Sequence, residues 1–261
     1  MKCANPRLDI TPKNVLLCLA NIDEWSLNDV HRQLNSPVTD ALFKFSGGKP
    51  GISAPEYVVQ PTSFSSVALR YISEEVLLID LGEAFLECYP PPKGVGTPVS
   101  YRSPELILEG KASSWSDVWA LSCTMFEMRS GFPLFESFVG SPSEVFQEMV
   151  RILGTPPSLY WPSLEQHDIY VRQNEASSGS SLGERIREIG MNDEVSFRIP
   201  LETPSSGHQA PDLLIEPSGN KVPEDEANIL ANLLQRTLDY MPKERSPADV
   251  IVKHRWFTVS S

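Results

Sequence analysis

The stretch WSDVWALSCTMFEMR at residues 115–129 constrains the fold more than any other part of the chain. Its apolar residues spread around the whole helical wheel, so a helix here must be covered on nearly every side by other elements. Such a buried pillar calls for a sizeable helical domain, and 261 residues are enough to build one. Amphipathic signals follow it. Ser141, Pro142 and Glu144 form a helix start in which Ser caps, Pro occupies the first turn and Glu reaches back to the cap. Val145, Phe146, Met149, Val150 and Ile152 then give one apolar face. Leu230, Leu233, Leu234 and Leu238 recur at the 3,4 spacing of another helix, and SPAD at 246–249 repeats the start signal for a last one.

Strand signals are few. NVLLCL at 14–19 and EVLLI at 75–79 are short apolar runs, partly β-branched, that are expected to pair as a two-stranded ribbon. Between them the sequence predicts a helix at 26–34 and a Pro/Gly/Ser-rich loop at 46–55. NEASSGSSLG at 174–183 and the stretch 202–220 have loop composition and are expected to be mobile. The fold class is therefore α+β, mainly α, with a few short strands.

Composition narrows the function. Hydrophobic residues at 41% and charged residues at 21% fit a soluble globular chain and no membrane partner. No run approaches the roughly 18 apolar residues of a bilayer span, and the start MKCANPRLD lacks the apolar stretch of a secretory signal. A net charge of −12 opposes binding to a nucleic-acid backbone and suits basic partners. Cys3, Cys18, Cys88 and Cys123 are widely spaced, without a CxxC pair, and are expected to be reduced thiols of the cytoplasm or nucleus.

Three strings carry chemistry. Leu8-Asp9-Ile10-Thr11-Pro12-Lys13-Asn14 places a carboxylate and an amide on a Pro-bearing loop before a strand, suited to a hydroxyl proton and a divalent metal. Ile79-Asp80-Leu81-Gly82 ends an apolar strand in an Asp, followed by a Gly that allows a sharp turn. Gly96-Thr97-Pro98-Val99-Ser100-Tyr101-Arg102-Ser103-Pro104-Glu105 precedes the buried helix. Taken singly, each also reads as a polar turn beside a short element.

Together, in this order, the strings resemble the C-terminal lobe of a eukaryotic protein kinase: catalytic loop, the Asp-Leu-Gly form of the metal-binding triplet, and an activation segment ending in Ser-Pro-Glu. The resemblance continues through Ser-Asp-Val-Trp-Ala-Leu at the start of the buried helix, ILGTPP at 152–157, Leu238-Asp239-Tyr240-Met241-Pro242-Lys243-Glu244-Arg245, and His254-Arg255-Trp256-Phe257. ILGTPP and the Tyr101–Glu105 string are similar to the group of cyclin-dependent and SR-protein kinases. The Asp-Leu-Gly triplet and the long insertion between catalytic loop and metal-binding Asp resemble its SR-protein kinase branch, of fungal type.

The resemblance implies one kinase-like domain, C-terminal lobe only, over residues 1–261, with insertions at about 20–74 and 158–222. It implies a serine/threonine kinase fragment using ATP and Mg2+ on protein substrates, Arg/Ser-rich among them. Asp9 would accept or orient the substrate hydroxyl proton, beside Thr11, while Asn14 and Asp80 would hold magnesium at the phosphates. Thr97, Ser100 and Tyr101 would belong to the activation segment. Glu105, Asp117 and Arg245 would be architectural, Arg245 pairing with Glu105 and Asp117 holding the catalytic loop from below. The chain departs from the family where Arg7 replaces a packed His, Thr11 a phosphate-contacting Lys, and where Thr97 stands four residues before Tyr101 instead of three. No Gly-rich nucleotide clamp precedes Asp9. Neither Gly94-Val95-Gly96 nor Gly47-Gly48-Lys49 supplies a substitute. On this basis the isolated chain is expected to be impaired, with an apolar groove beside Trp119 and Phe126 uncovered. The competing reading is an inactive kinase-derived module that binds basic or Arg/Ser-rich partners.

Overall fold

The structure, a computed structural model, describes residues 10–62, 69–86, 95–167, 169, 181–191 and 221–258. The chain divides into two compact units, one of Met1–Val15 with Leu78–Ser261 and one of Leu16–Leu77.

The smaller unit runs through β1 (Val15–Leu19), α1 (Leu27–Leu34), β2 (Thr39–Ala41), β3 (Tyr57–Val59) and β4 (Ile72–Leu78). β1 and β4 form the two-stranded ribbon. Ile79 N–H donates to the Asn14 carbonyl at 2.9 Å and Ala20 N–H to that of Tyr71 at 2.9 Å, so the strands run antiparallel. β4 begins three residues before the apolar run at 75–79, because backbone pairing extends past the apolar side chains. α1 starts as the sequence predicts. Ser26 and Asp29 complete a capping box, with Asp29 N–H donating to Ser26 Oγ at 3.2 Å and Ser26 N–H to Asp29 Oδ2 at 3.0 Å. β2 and β3 pair antiparallel, Thr39 opposite Val59 and Ala41 opposite Tyr57, and they frame the Pro/Gly/Ser-rich loop. Sequence reasoning missed this hairpin, since strands of three exposed residues leave no periodicity to detect.

The larger unit is helical: α2 (Pro104–Glu109), α3 (Ser114–Ser130), α4 (Pro142–Leu153), α5 (Trp161–Gln166), α6 (Leu182–Arg187), α7 (Glu224–Thr237) and α8 (Ala248–Ile251). The stretch at 115–129 falls within α3, whose buried residues include Val118, Trp119, Cys123, Met125 and Phe126. Its start is set by a capping box between Ser113 and Ser116, and its end by Gly131, whose φ of 82° places the next residue off the helix axis. Phe135, Phe146, Met149, Leu230 and Leu234 close around it with at most 1% exposure. Cys123 lies within this core as a free thiol, and burial pushes its pKa up.

Several local expectations change. In α4, Ser141 caps Ser143 N–H, but the Glu144 carboxylate passes the cap and accepts from Ser137 Oγ at 2.7 Å and Val139 N–H at 3.2 Å. At the last helix the cap position is Pro247, without a side-chain bond; Ser246 instead donates its N–H to the Arg236 carbonyl at 2.7 Å. The loop expected at 174–183 ends early, because Ser181 and Glu184 form a capping box that starts α6; residues 174–180 and 202–220 lie outside the described residues. Among the described residues the expected apolar groove is not open. Trp119 is fully buried and stacks on Phe135 with centroids 5.5 Å apart, and Phe126 is 4% exposed.

Candidate functional site

The Ile79–Asn14 backbone bond that closes the ribbon also sets the site. It pins the residue before Asp80 to Asn14, so the two oxygen-bearing side chains leave neighbouring ends of paired strands. Asp80 adopts φ 56° and ψ 57°, a left-handed conformation unusual for a residue with a side chain. The turn after β4 is thus taken by Asp80 itself. Gly82, expected to supply it, lies inside the 3-10 turn Leu81–Glu83. A Cβ built on Gly82 would stand 3.7 Å from Asp80 Oδ1, so the bare glycine leaves that face of the exposed carboxylate open. One carboxylate and one amide oxygen are hard donors, a set that fits magnesium holding further oxygens from phosphate and water. Among the described residues, no group of three or more His, Cys, Asp and Glu converges as a metal cluster.

Asp9 lies outside the described residues. Thr11 is buried and leads into the 3-10 turn Pro12–Asn14, where its carbonyl accepts Asn14 N–H at 3.0 Å. The loop is tied to α3 by Thr124 Oγ1, which donates to the Ile10 carbonyl at 2.9 Å. Sequence reasoning gave the tethering of this loop to Asp117, in the first turn of α3; it did not find Thr124. A hydroxyl near the middle of an apolar helix was the available signal, since a buried Thr needs a partner.

The segment before α2 is held by two side-chain bonds. Thr97 is buried, and its carbonyl accepts from Arg102 Nε at 2.7 Å. Ser100 lies half-buried in the 3-10 turn Val99–Tyr101. The Tyr101 hydroxyl donates to Glu127 Oε2 of α3 in a short hydrogen bond. Burial, then this bond, raises the Tyr101 pKa well above the usual phenol value, so it remains a neutral donor.

Beneath that segment sits a buried ion pair. Arg245 Nη1 and Nη2 donate to Glu105 Oε1 and Oε2 at 2.9 and 2.7 Å. The other guanidinium N–H groups reach carbonyls of Trp115 at 2.8 Å, Asp239 at 2.8 Å and Tyr240 at 3.4 Å. All five donors of the guanidinium therefore have acceptors. Ser116 Oγ donates to Glu105 Oε1 at 2.9 Å, and the Trp119 ring lies 5.0 Å from the guanidinium carbon. Tyr160 extends the network, its hydroxyl donating to the Tyr240 carbonyl at 2.9 Å, with burial pushing its pKa up to about 12.

Comparison with known proteins places this arrangement. A family model described as "Protein kinase domain" matches residues 71–257. That stretch contains Asp80, Thr97, Ser100, Tyr101, Glu105, Asp117 and Arg245; Asp9, Thr11 and Asn14 precede it. The chain is 28% identical over 158 residues to cyclin-dependent kinase G-1 of Oryza sativa subsp. indica, covering 60% of this chain and 18% of that protein. It is 27% identical over 186 residues to the dual specificity protein kinase CLK2 of Mus musculus, covering 71% of this chain and 32% of that protein. The alignments thus span less than a third of these relatives' lengths. Among the described residues no helix is long and apolar enough to cross a membrane. With the match extending over most of its length, this chain belongs to the protein kinase domain family.

Proposed function

We propose that the chain is the catalytic-loop and helical portion of a serine/threonine protein kinase of the SR-protein kinase type. The observation that carries this is the Ile79–Asn14 backbone bond, which sets Asp80 and Asn14 side by side within a chain of kinase sequence. Phosphoryl transfer asks a protein mainly for alignment and charge compensation. A bound magnesium nucleotide supplies the transferable group. Asn14 and Asp80 hold the metal through oxygen, Asp9 orients or accepts the proton of the substrate hydroxyl, and Thr11 braces the loop between them. Thr97 or Ser100 lies beside the substrate hydroxyl, and the Tyr101–Glu127 and Arg102–Thr97 bonds keep that segment in place. The substrates are basic, Arg/Ser-rich proteins of the cytoplasm or nucleus, drawn by the net charge of −12.

The acidic surface favours one competing role, a module that binds basic peptides without transferring phosphate. Thermal melting of the full chain with magnesium-ATP decides between them. The kinase reading expects a melting temperature raised by the nucleotide only with magnesium present, and the rise lost in Asp80→Asn. An Arg/Ser peptide that stabilises the chain while magnesium-ATP does nothing would favour the binding module.

A further inference from the structure

Far along the sequence from Asp80, the turn after α8 and one face of α7 enclose a recess of about 310 Å³, near the lower limit for small-molecule sites. Leu233 and Ile251 give it an apolar floor, both at most 3% exposed. Arg236, Lys253, His254 and Arg255 line it together with Ser246, and no carboxylate is part of the lining. Three permanent cations around one concavity are unexpected in a chain of net charge −12. Among the described residues, none of Arg236, Lys253 and Arg255 has a carboxylate within ion-pair distance. Arg129 on Glu226 and Arg245 on Glu105, by contrast, each have a carboxylate partner.

His254 is fixed in place. Its Nδ1 accepts the Trp256 N–H at 3.3 Å, so its neutral ring carries the proton on Nε2, facing Asn232 Oδ1 at 3.1 Å. Burial and the adjacent Arg236 lower its pKa, in keeping with a positive field in the recess.

We propose that this recess is an anion site for a phosphoryl group, carried on a phosphorylated protein segment or present as a free oxyanion. The charge count selects the class. A single carboxylate offers one negative charge and two oxygens, whereas a phosphoryl group carries about −1.5 to −2 at pH 7 and three acceptor oxygens, enough for several cations. An extended nucleic acid would meet the repulsion of the whole acidic chain, while one compact phosphoryl group meets the local field.

The test titrates the full chain calorimetrically, at constant ionic strength in chloride, with inorganic phosphate, a phosphoserine peptide of otherwise uncharged residues, and its unphosphorylated counterpart. Saturable binding of phosphate or phosphopeptide is expected, with no binding of the plain peptide. Tighter binding of the phosphopeptide assigns a protein source, and equal binding a free oxyanion. Replacing Arg236, Lys253 and Arg255 together by Gln should weaken binding by about 10-fold or more, while Lys111→Gln, just beyond the end of α2, changes nothing. If the triple variant melts early, Lys253→Glu alone and the shift of the His254 ring resonances on saturation give the same answer. No saturable binding, or binding unchanged in the recess variants, overturns the proposal. Magnesium-ATP stabilisation should survive these variants and fail in Asp80→Asn, which keeps this site distinct from the proposed kinase function.

Discussion

The two units hold together in different ways. In the helical unit, Trp119, Phe146, Leu230 and Leu234 are excluded from water, and even an arginine is buried with every donor satisfied. In the unit Leu16–Leu77 no described residue is buried, and Leu17 on β1 remains 60% exposed. The first is stabilised by tertiary packing. The second relies on strand pairing, the α1 capping box and the edge-on contact of Trp25 with Tyr71 at 4.9 Å. A given type of substitution should therefore have very different consequences in the two.

The largest effect belongs to Arg245→Ala. Glu105 would keep its Ser116 bond but lose both guanidinium bonds in a site 5% exposed, and the carbonyls of Trp115 and Asp239 would lose donors. Removing one partner of a buried pair costs about 3–5 kcal/mol, so urea denaturation should show most of the helical unit's stability gone. An unchanged denaturation midpoint would mean that the pair contributes nothing and that packing alone holds the unit. Replacing both partners, with Glu105→Leu and Arg245→Met, should cost less than Arg245→Ala, because no buried charge is then left alone.

Next comes a direct contrast of like with like. Leu234→Ala empties a fully buried position on α7 and should cost about 2–5 kcal/mol, transfer and cavity terms together. Leu17→Ala, the same chemical change on a strand that faces water, should stay within about 0.5 kcal/mol. Comparable losses at both positions would show that the ribbon buries apolar surface under solution conditions and would erase the distinction between the units.

The same contrast explains what the sequence could convey. α3, α4 and α7 were legible because burial imposes a pattern on residue type: all-round apolarity for α3, and a 3,4 stripe for the other two. The β2–β3 hairpin left no such trace, since its side chains are all exposed. At the site, the residue types in Asn14 and Asp80 were readable, and so was the pairing of the strands that bear them. The left-handed backbone of Asp80 was not, because an Asp-Leu-Gly string points to glycine as the flexible member. For Thr124 the signal was incomplete, because a buried hydroxyl calls for a partner without saying which. Its bond to Ile10 crosses 114 residues of sequence, and no local spacing signals such a contact.

The smallest expected effect concerns a pair at the rim of the packed unit. Arg129 on α3 donates from Nε and Nη2 to Glu226 on α7, at 2.7 and 3.1 Å, with both side chains partly open to water. The hydrogen bond from Arg129 holds the Glu226 carboxyl below the ordinary glutamate range. A carboxylate whose folded pKa is depressed contributes fully above its unfolded pKa, and that contribution is lost as pH falls through the folded value. Water screens the pair, so the contribution at neutral pH should be about 0.5–1 kcal/mol, far below that of the buried Arg245–Glu105 pair. Glu226→Gln should therefore be slightly less stable than the parent at pH 7, with the gap closing as pH drops below the ordinary glutamate range. Denaturation midpoints of both proteins across pH 7 to 3 measure that gap. A gap that stayed constant with pH would assign Glu226 a packing role, and one as large as that of Arg245→Ala would move this pair from the rim into the core.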